Sequence, residues 1–169
     1  MIGERYQDVI RDERESEAGG GVPVASDICR SIIWMAHLIE RYANARLPTF
    51  DLPDDLTMPR ARLLLAVAAG AAEQTSTRMS DIAFDLGVTA RTITTMVDAL
   101  ERDGLVERVP DQQDRRAISL VLTEAGEERV PYILHAIEEI SSSVVAPLSN
   151  EDQELLRDLL VRLIERDAG

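Results

Sequence analysis

Between residues 80 and 123 the apolar residues change their period from that of a helix to that of a strand, and glycines stand where the chain must turn. Ser80 is placed to cap a short helix, Asp81 to Leu86, with Ile82, Ala83 and Leu86 facing inward. Gly87 can adopt the left-handed conformation that stops it, and Thr89 is placed to cap the next helix, Ala90 to Asp103. In that second helix Ile93, Met96, Val97 and Leu100 fall at i, i+3, i+4 and i+7, which makes them its buried face. Ala90, Arg91, Thr94, Thr95 and Asp98 are left outside. After Gly104, Leu105 to Val109 reads as a strand and Pro110 to Arg116 as a charged hairpin loop. Ala117 to Leu122 reads as the returning strand, with Ile118, Leu120 and Leu122 on one face. Two helices joined by a tight glycine-containing turn form a helix-turn-helix, and the hairpin adds a wing.

The flanking segments read as helices. Ile28, Ile32, Met35, Ile39 and Tyr42 recur at steps of four and three between Ala25 and Leu47, so they share one stripe of a long helix that Pro48 and Pro53 end. A second helix is expected from Thr57, as N-cap, to about Gly70, with Pro59 in its first turn and Leu63, Leu64, Leu65 and Val67 buried. Thr123 suits the cap of a helix that breaks at, or begins near, Pro131 and runs to about Val145. Beyond Pro147, Ser149 and Asp152 resemble a capping box that opens a last helix. Leu155, Leu156, Leu159, Leu160, Leu163 and Ile164 give that helix a wide apolar stripe. Residues 1–22 are charged and end in a glycine run, the composition of a flexible arm. The expected fold is therefore mainly α with a small β-hairpin wing. A winged helix-turn-helix at 56–123 is flanked by a helical dimerisation module formed from 23–47 and 124–169.

Composition removes several alternatives. No apolar run approaches the roughly 18 residues of a membrane span, which points to a cytoplasmic protein. One cysteine, Cys29, forms no internal disulfide, and with two histidines, His37 and His135, it builds no thiolate-rich metal site. On an apolar helical stripe Cys29 is expected to be a buried, inert thiol rather than a redox switch. No glycine-rich phosphate loop or HExxH-type spacing provides a catalytic set, so an enzyme is not expected, nor a cofactor. A formal charge of -13 runs against phosphate binding, but its distribution matters more. From Arg78 to Leu122 six arginines stand against eight carboxylates, a balance of -2, so most of the acid lies elsewhere. All 18 basic residues are arginine, which hints at a genome of high GC content.

The order helix, helix, helix-turn-helix, wing, helix, helix resembles the MarR family of bacterial regulators. The residues that carry the resemblance are Leu56-Thr57, Met79-Ser80-Asp81-Ile82-Ala83 with Leu86-Gly87-Val88, Thr92-Ile93-Thr94, Val97-Asp98-Ala99-Leu100-Glu101 and Gly104-Leu105-Val106 with Arg108. Most specific is the wing, where Asp114, Arg116 and Leu122-Thr123 stand at the family's spacing and Glu124-Ala125-Gly126 follows. The likeness covers roughly Ala25 to Arg166. It departs from the family at Thr95, where a basic residue is common, and at Arg60, where glutamine is frequent.

The resemblance implies a sequence-specific DNA-binding transcription regulator, most simply a repressor, that binds a pseudo-palindromic operator as a homodimer. Its reading helix would enter the major groove with Thr89, Ala90, Arg91, Thr92, Thr94 and Thr95 toward the bases. Thr94 and Thr95 can donate, accept, or touch a thymine methyl, whereas Arg91 suits guanine or phosphate. Arg78 and Ser80 open the first motif helix, where a phosphate is favoured, although Ser80 can equally serve only as a cap. Arg108 is a further expected DNA contact, and Arg115 and Arg116 at the wing tip suit a narrow minor groove. Asp114 is expected to hold one wing arginine by an ion pair; the resemblance suggests Arg116, leaving Arg115 to probe the groove. A small aromatic or phenolic effector is implied too, with Trp34, His37, Arg41, Met58 and Arg62 as its candidate contacts, though core packing and solvation explain those residues equally well. A winged helix used for protein contacts is the competing reading that the acidity permits.

Overall fold

The computed structural model describes residues 24–53, 55–73, 75, 77–111, 114 and 116–165. The expected N-terminal arm and Arg115 lie outside these residues. The helices are α1 (Val24–Arg46), α2 (Met58–Ala72), α3 (Met79–Asp85), α4 (Ala90–Arg102), α5 (Glu124–Val145) and α6 (Asn150–Glu165). Strands β1 (Val106–Pro110) and β2 (Ile118–Leu122) form one antiparallel hairpin between α4 and α5, in the register Val106 to Leu122, Arg108 to Leu120 and Pro110 to Ile118.

The chain divides into a unit that runs up to Arg41 and one that starts at Tyr42. Within the first, Ile28, Ile32, Met35 and Ile39 of the expected stripe remain 37% to 49% exposed, and Cys29 is exposed too, not buried as expected. A stripe shows which side of a helix is apolar, but burial needs a second surface packed on it, so the stripe by itself does not bury a thiol.

The core lies in the second unit. Leu63, Leu64 and Val67 of α2, Ile93, Val97 and Leu100 of α4, Val106 and Leu120 of the hairpin, and Ile133, Ala136 and Ile140 of α5 are its buried centre. α5 therefore packs with the winged helix-turn-helix along most of its length, since Gly126, Ile133, Ala136 and Ile140 are all buried. The α6 helix buries none of its residues, and Leu155, Leu156, Leu159, Leu163 and Ile164 are 41% to 69% exposed.

Several helix ends depart from the sequence expectation. Thr57 occupies the N-cap position of α2, yet the amide of Met58 donates instead to Asn44 Oδ1 at 2.7 Å. Ser80 lies inside α3, whose N-cap is Arg78, and its hydroxyl donates to Asp81 Oδ1 at 3.0 Å rather than capping. α5 runs unbroken through Pro131, where Pro131 and Glu127 are both exposed and water can take the carbonyl that loses its amide. Thr89 and Thr123 do cap as expected, accepting from the amides of Thr92 and Gly126. Gly87 and Gly104 end α3 and α4 with φ of 64° and 70°. Of the returning strand, Leu120 is buried but Ile118 is 43% exposed, because it pairs with Pro110 at the outer end of the hairpin, beyond the core.

Candidate nucleic-acid interface

The α4 helix is strongly two-sided. Ile93, Met96, Val97, Ala99 and Leu100 are buried, which commits the opposite face to solvent. On that face Ala90, Arg91, Thr94, Thr95 and Asp98 are all exposed, and among the described residues Arg91 meets no carboxylate. Both threonine hydroxyls turn back on the helix. Thr94 Oγ1 donates to the carbonyl of Ala90 at 2.8 Å and Thr95 Oγ1 to that of Arg91 at 3.1 Å. At the N-terminus Thr89 Oγ1 accepts from the Thr92 amide at 3.1 Å, and the two hydroxyls lie 2.9 Å apart.

Two arginines expected at phosphate are engaged within the protein. Arg78 Nη2 meets Asp111 Oδ1 at 2.7 Å, and hydrogen bonding to that carboxylate raises the Arg78 pKa above its ordinary value. Asp111 is buried, and it also accepts from Ser119 Oγ at 2.8 Å and from the Asp114 amide at 2.8 Å. This one carboxylate therefore gathers the start of α3, the returning strand and the hairpin turn. Arg108 Nη2 lies 2.6 Å from Asp98 Oδ1, and its Nη1 pairs with Glu101. Arg108 thus braces β1 on α4, and its fork is turned along the helix instead of presented to a ligand.

At the wing, Asp114 is exposed and its Oδ1 accepts the backbone amide of Arg116 at 3.0 Å. That bond shapes the turn and Arg116 is exposed; among the described residues Asp114 makes no ion pair with the Arg116 guanidinium, contrary to the pairing that the resemblance suggested. A second exposed cluster joins distant segments, since Asp55 Oδ2 receives Arg60 Nη1 at 2.7 Å and Arg102 Nη2 at 3.0 Å. The hydrogen bond from Arg60, with the charges of Arg60 and Arg102, lowers the Asp55 pKa below 3.8.

Of the expected effector contacts, Trp34, His37 and Arg41 lie on α1, with Arg41 exposed, whereas Met58 and Arg62 belong to α2 in the other unit. Trp34 and His37 share a concavity of about 290 Å³ with Arg30 and Ile33. His37 Nδ1 lies 2.8 Å from the Ile33 carbonyl. Met58 packs partly buried against the core, and Arg62 is exposed. Sequence reasoning did not single out Asp111, Ser119, Asp55 or Asn44. The bonds from Asn44 to Met58, from Asp111 to Arg78 and Ser119, and from Asp55 to Arg102 span 8 to 47 residues of sequence, beyond what local periodicity reports.

A buried-faced helix preceded by a short helix and followed by a β-hairpin is the arrangement that the comparisons match. The sequence profile described as MarR family covers residues 56–118. The match to the MarR family thus falls on the winged helix-turn-helix segment. Among curated MarR-family relatives it is 34% identical over 87 residues to the HTH-type transcriptional repressor YetL of Bacillus subtilis, 52% of each chain. It is 31% identical over 84 residues to the HTH-type transcriptional regulator PecS of Dickeya dadantii, 50% of this chain and 51% of that one. The chain thus spans about half the length of the curated relatives it matches. The crystal structure of a probable transcriptional regulator from Pseudomonas aeruginosa superposes with a TM-score of 0.64 at 27% identity, covering 78% of this chain and 96% of that one. A winged helix-turn-helix similar to that of these regulators therefore underlies the surface just described. No described helix is long and apolar enough to cross a membrane.

Proposed function

We propose that this chain is a sequence-specific DNA-binding regulator of transcription that acts as a homodimer and represses by occupying its operator. The observation that carries this reading is α4, whose buried face anchors it while Ala90, Arg91, Thr94 and Thr95 stand exposed beside a hairpin bearing Arg116. The helix would lie in the major groove, and the wing, with Arg115 and Arg116, would follow phosphates into the minor groove. Thr89, Thr92 and Ser80 would flank the reading face at the two helix N-termini, near the backbone. Arg78 and Arg108 act by holding the wing and the reading helix in register. The similarity to YetL, a transcriptional repressor, and PecS, a transcriptional regulator, both of the HTH type, supports the same assignment.

One copy offers few contacts, whereas a two-fold pair doubles them on a pseudo-palindromic site. The exposed leucines and isoleucines of α1 and α6 supply apolar surface that a second copy would cover. The concavity at Arg30, Ile33, Trp34 and His37, where Arg30 is paired with Asp27 at 3.6 Å, has a mainly apolar lining with an aromatic wall, which suits a small aromatic effector.

Gel shift of the DNA flanking the chain's own gene, read against salt, tests the proposal. Binding that weakens steeply with salt is expected, and Arg115→Ala with Arg116→Ala should reduce affinity across all sequences and flatten the slope by about two charges per protomer, about four per bound dimer. No shift at low salt would instead favour a winged helix used for protein contacts. Unchanged affinity in the double variant would remove the wing from the interface.

A further inference from the structure

Resting on that reading, we infer that Thr94 recognises an A·T pair through the thymine methyl, and that its hydroxyl acts only as an acceptor. On the reading face Ala90, Thr94 and Asp98 follow one another at i, i+4 and i+8 and so form one row along the helix. The Thr94 hydroxyl hydrogen is committed to the Ala90 carbonyl at 2.8 Å. What remains for a base is the Thr94 methyl, the Ala90 Cβ and an oxygen lone pair. At the far end of the row Asp98 offers only carboxylate oxygens, and Arg108 holds them from behind at 2.6 Å. The row therefore contains carbon and acceptors but no donor. Arg91, the donor on this face, belongs to the adjacent row with Thr95.

Base edges in the major groove differ in what they ask of such a surface. A G·C pair offers the cytosine N4 amino group to a lone pair, but it leaves guanine N7 and O6 unpaired and has no methyl group to meet the carbon of this row. An A·T pair presents the thymine methyl and the adenine N6 amino group, which match a methyl and a lone pair. The sequence alone left three roles open for this threonine, and the backbone bond selects among them.

The test begins with duplexes selected from a random pool by the purified full-length chain. Each thymidine of the bound half-site is then replaced by 2′-deoxyuridine, which removes the methyl and leaves pairing intact. One replacement should weaken binding by about four-fold, the worth of one buried methyl group. Thr94→Val, which retains the methyl and puts a second one in place of the hydroxyl, should keep that sensitivity, whereas Thr94→Ser should bind the two duplexes alike. The inference is overturned if no deoxyuridine replacement weakens the wild type, or if the serine variant keeps the discrimination and the valine variant loses it. A pool that yields no bound duplex at low salt is a different result, which removes the regulator reading together with this one. Circular dichroism of both variants verifies that the exposed substitution leaves the helix content unchanged.

Discussion

Replacing Gly126 by alanine sets helix propensity against packing, and the two predict opposite signs. Gly126 lies in the first turn of α5, where alanine is ordinarily worth about 1 kcal/mol of added stability. A Cβ at this position, however, would stand 2.0 Å from the Leu105 carbonyl oxygen and 3.0 Å from its carbon, both backbone atoms that cannot rotate away. The helix start must then lift from the loop between α4 and β1. That movement strains the hydrogen bond from the Thr123 amide to Leu105 O, 3.2 Å long, and the one from Thr123 Oγ1 to Gly104 O, 2.6 Å long. Overpacking in a tight site costs about 1–3 kcal/mol, and each weakened hydrogen bond about 1 kcal/mol. After the propensity gain is subtracted, Gly126→Ala should destabilise the protein by about 2 kcal/mol. Urea unfolding at one fixed protein concentration should show the midpoint falling by about 1 M with the slope unchanged. A variant as stable as the wild type, or more stable, would refute the claim that this close approach determines where α5 docks.

Other contacts make separate predictions. Asn44→Ala removes the side chain that caps α2 and should cost about 1 kcal/mol in the same assay, while Thr57→Ala should cost little, since the Thr57 hydroxyl makes no cap bond. The reverse order would restore Thr57 as the cap. Asp55→Asn should lower the melting temperature at neutral pH by removing the bridge between Arg60 and Arg102. Because the folded protein holds the Asp55 pKa below 3.8, this stabilisation is fully present above that value and disappears as pH falls through the lowered one. Melting curves of variant and wild type should therefore converge in acid, and a gap independent of pH would show that the carboxylate charge is not its source.

The positions of the helices were legible from local pattern. The stripe Ile93, Met96, Val97 and Leu100 is a property of helical period, and the structure buries all four. Gly87, Gly104, Thr89 and Thr123 act within a few residues of themselves, so their roles as stops and caps could be read from spacing. What failed was the assignment of partners to charges. Arg78 and Arg108 look alike in the sequence to Arg91 and Arg116, since each is a cation near a helix or hairpin end. Whether a guanidinium remains available depends on which carboxylate the fold delivers to it, and for Arg78 that group is 33 residues away.

The linear chain thus determined which segments are helical, where α3 and α4 stop and which face α4 buries, because those properties arise from backbone sterics and side-chain period over a few turns. Only the tertiary structure decided that Asp111 sits beneath the wing, that Asn44 rather than Thr57 caps α2, and that Leu105 leaves no room beside Gly126. These depend on distances between segments far apart in sequence, which are set by the common packing of α2, α4, α5 and the hairpin into one core.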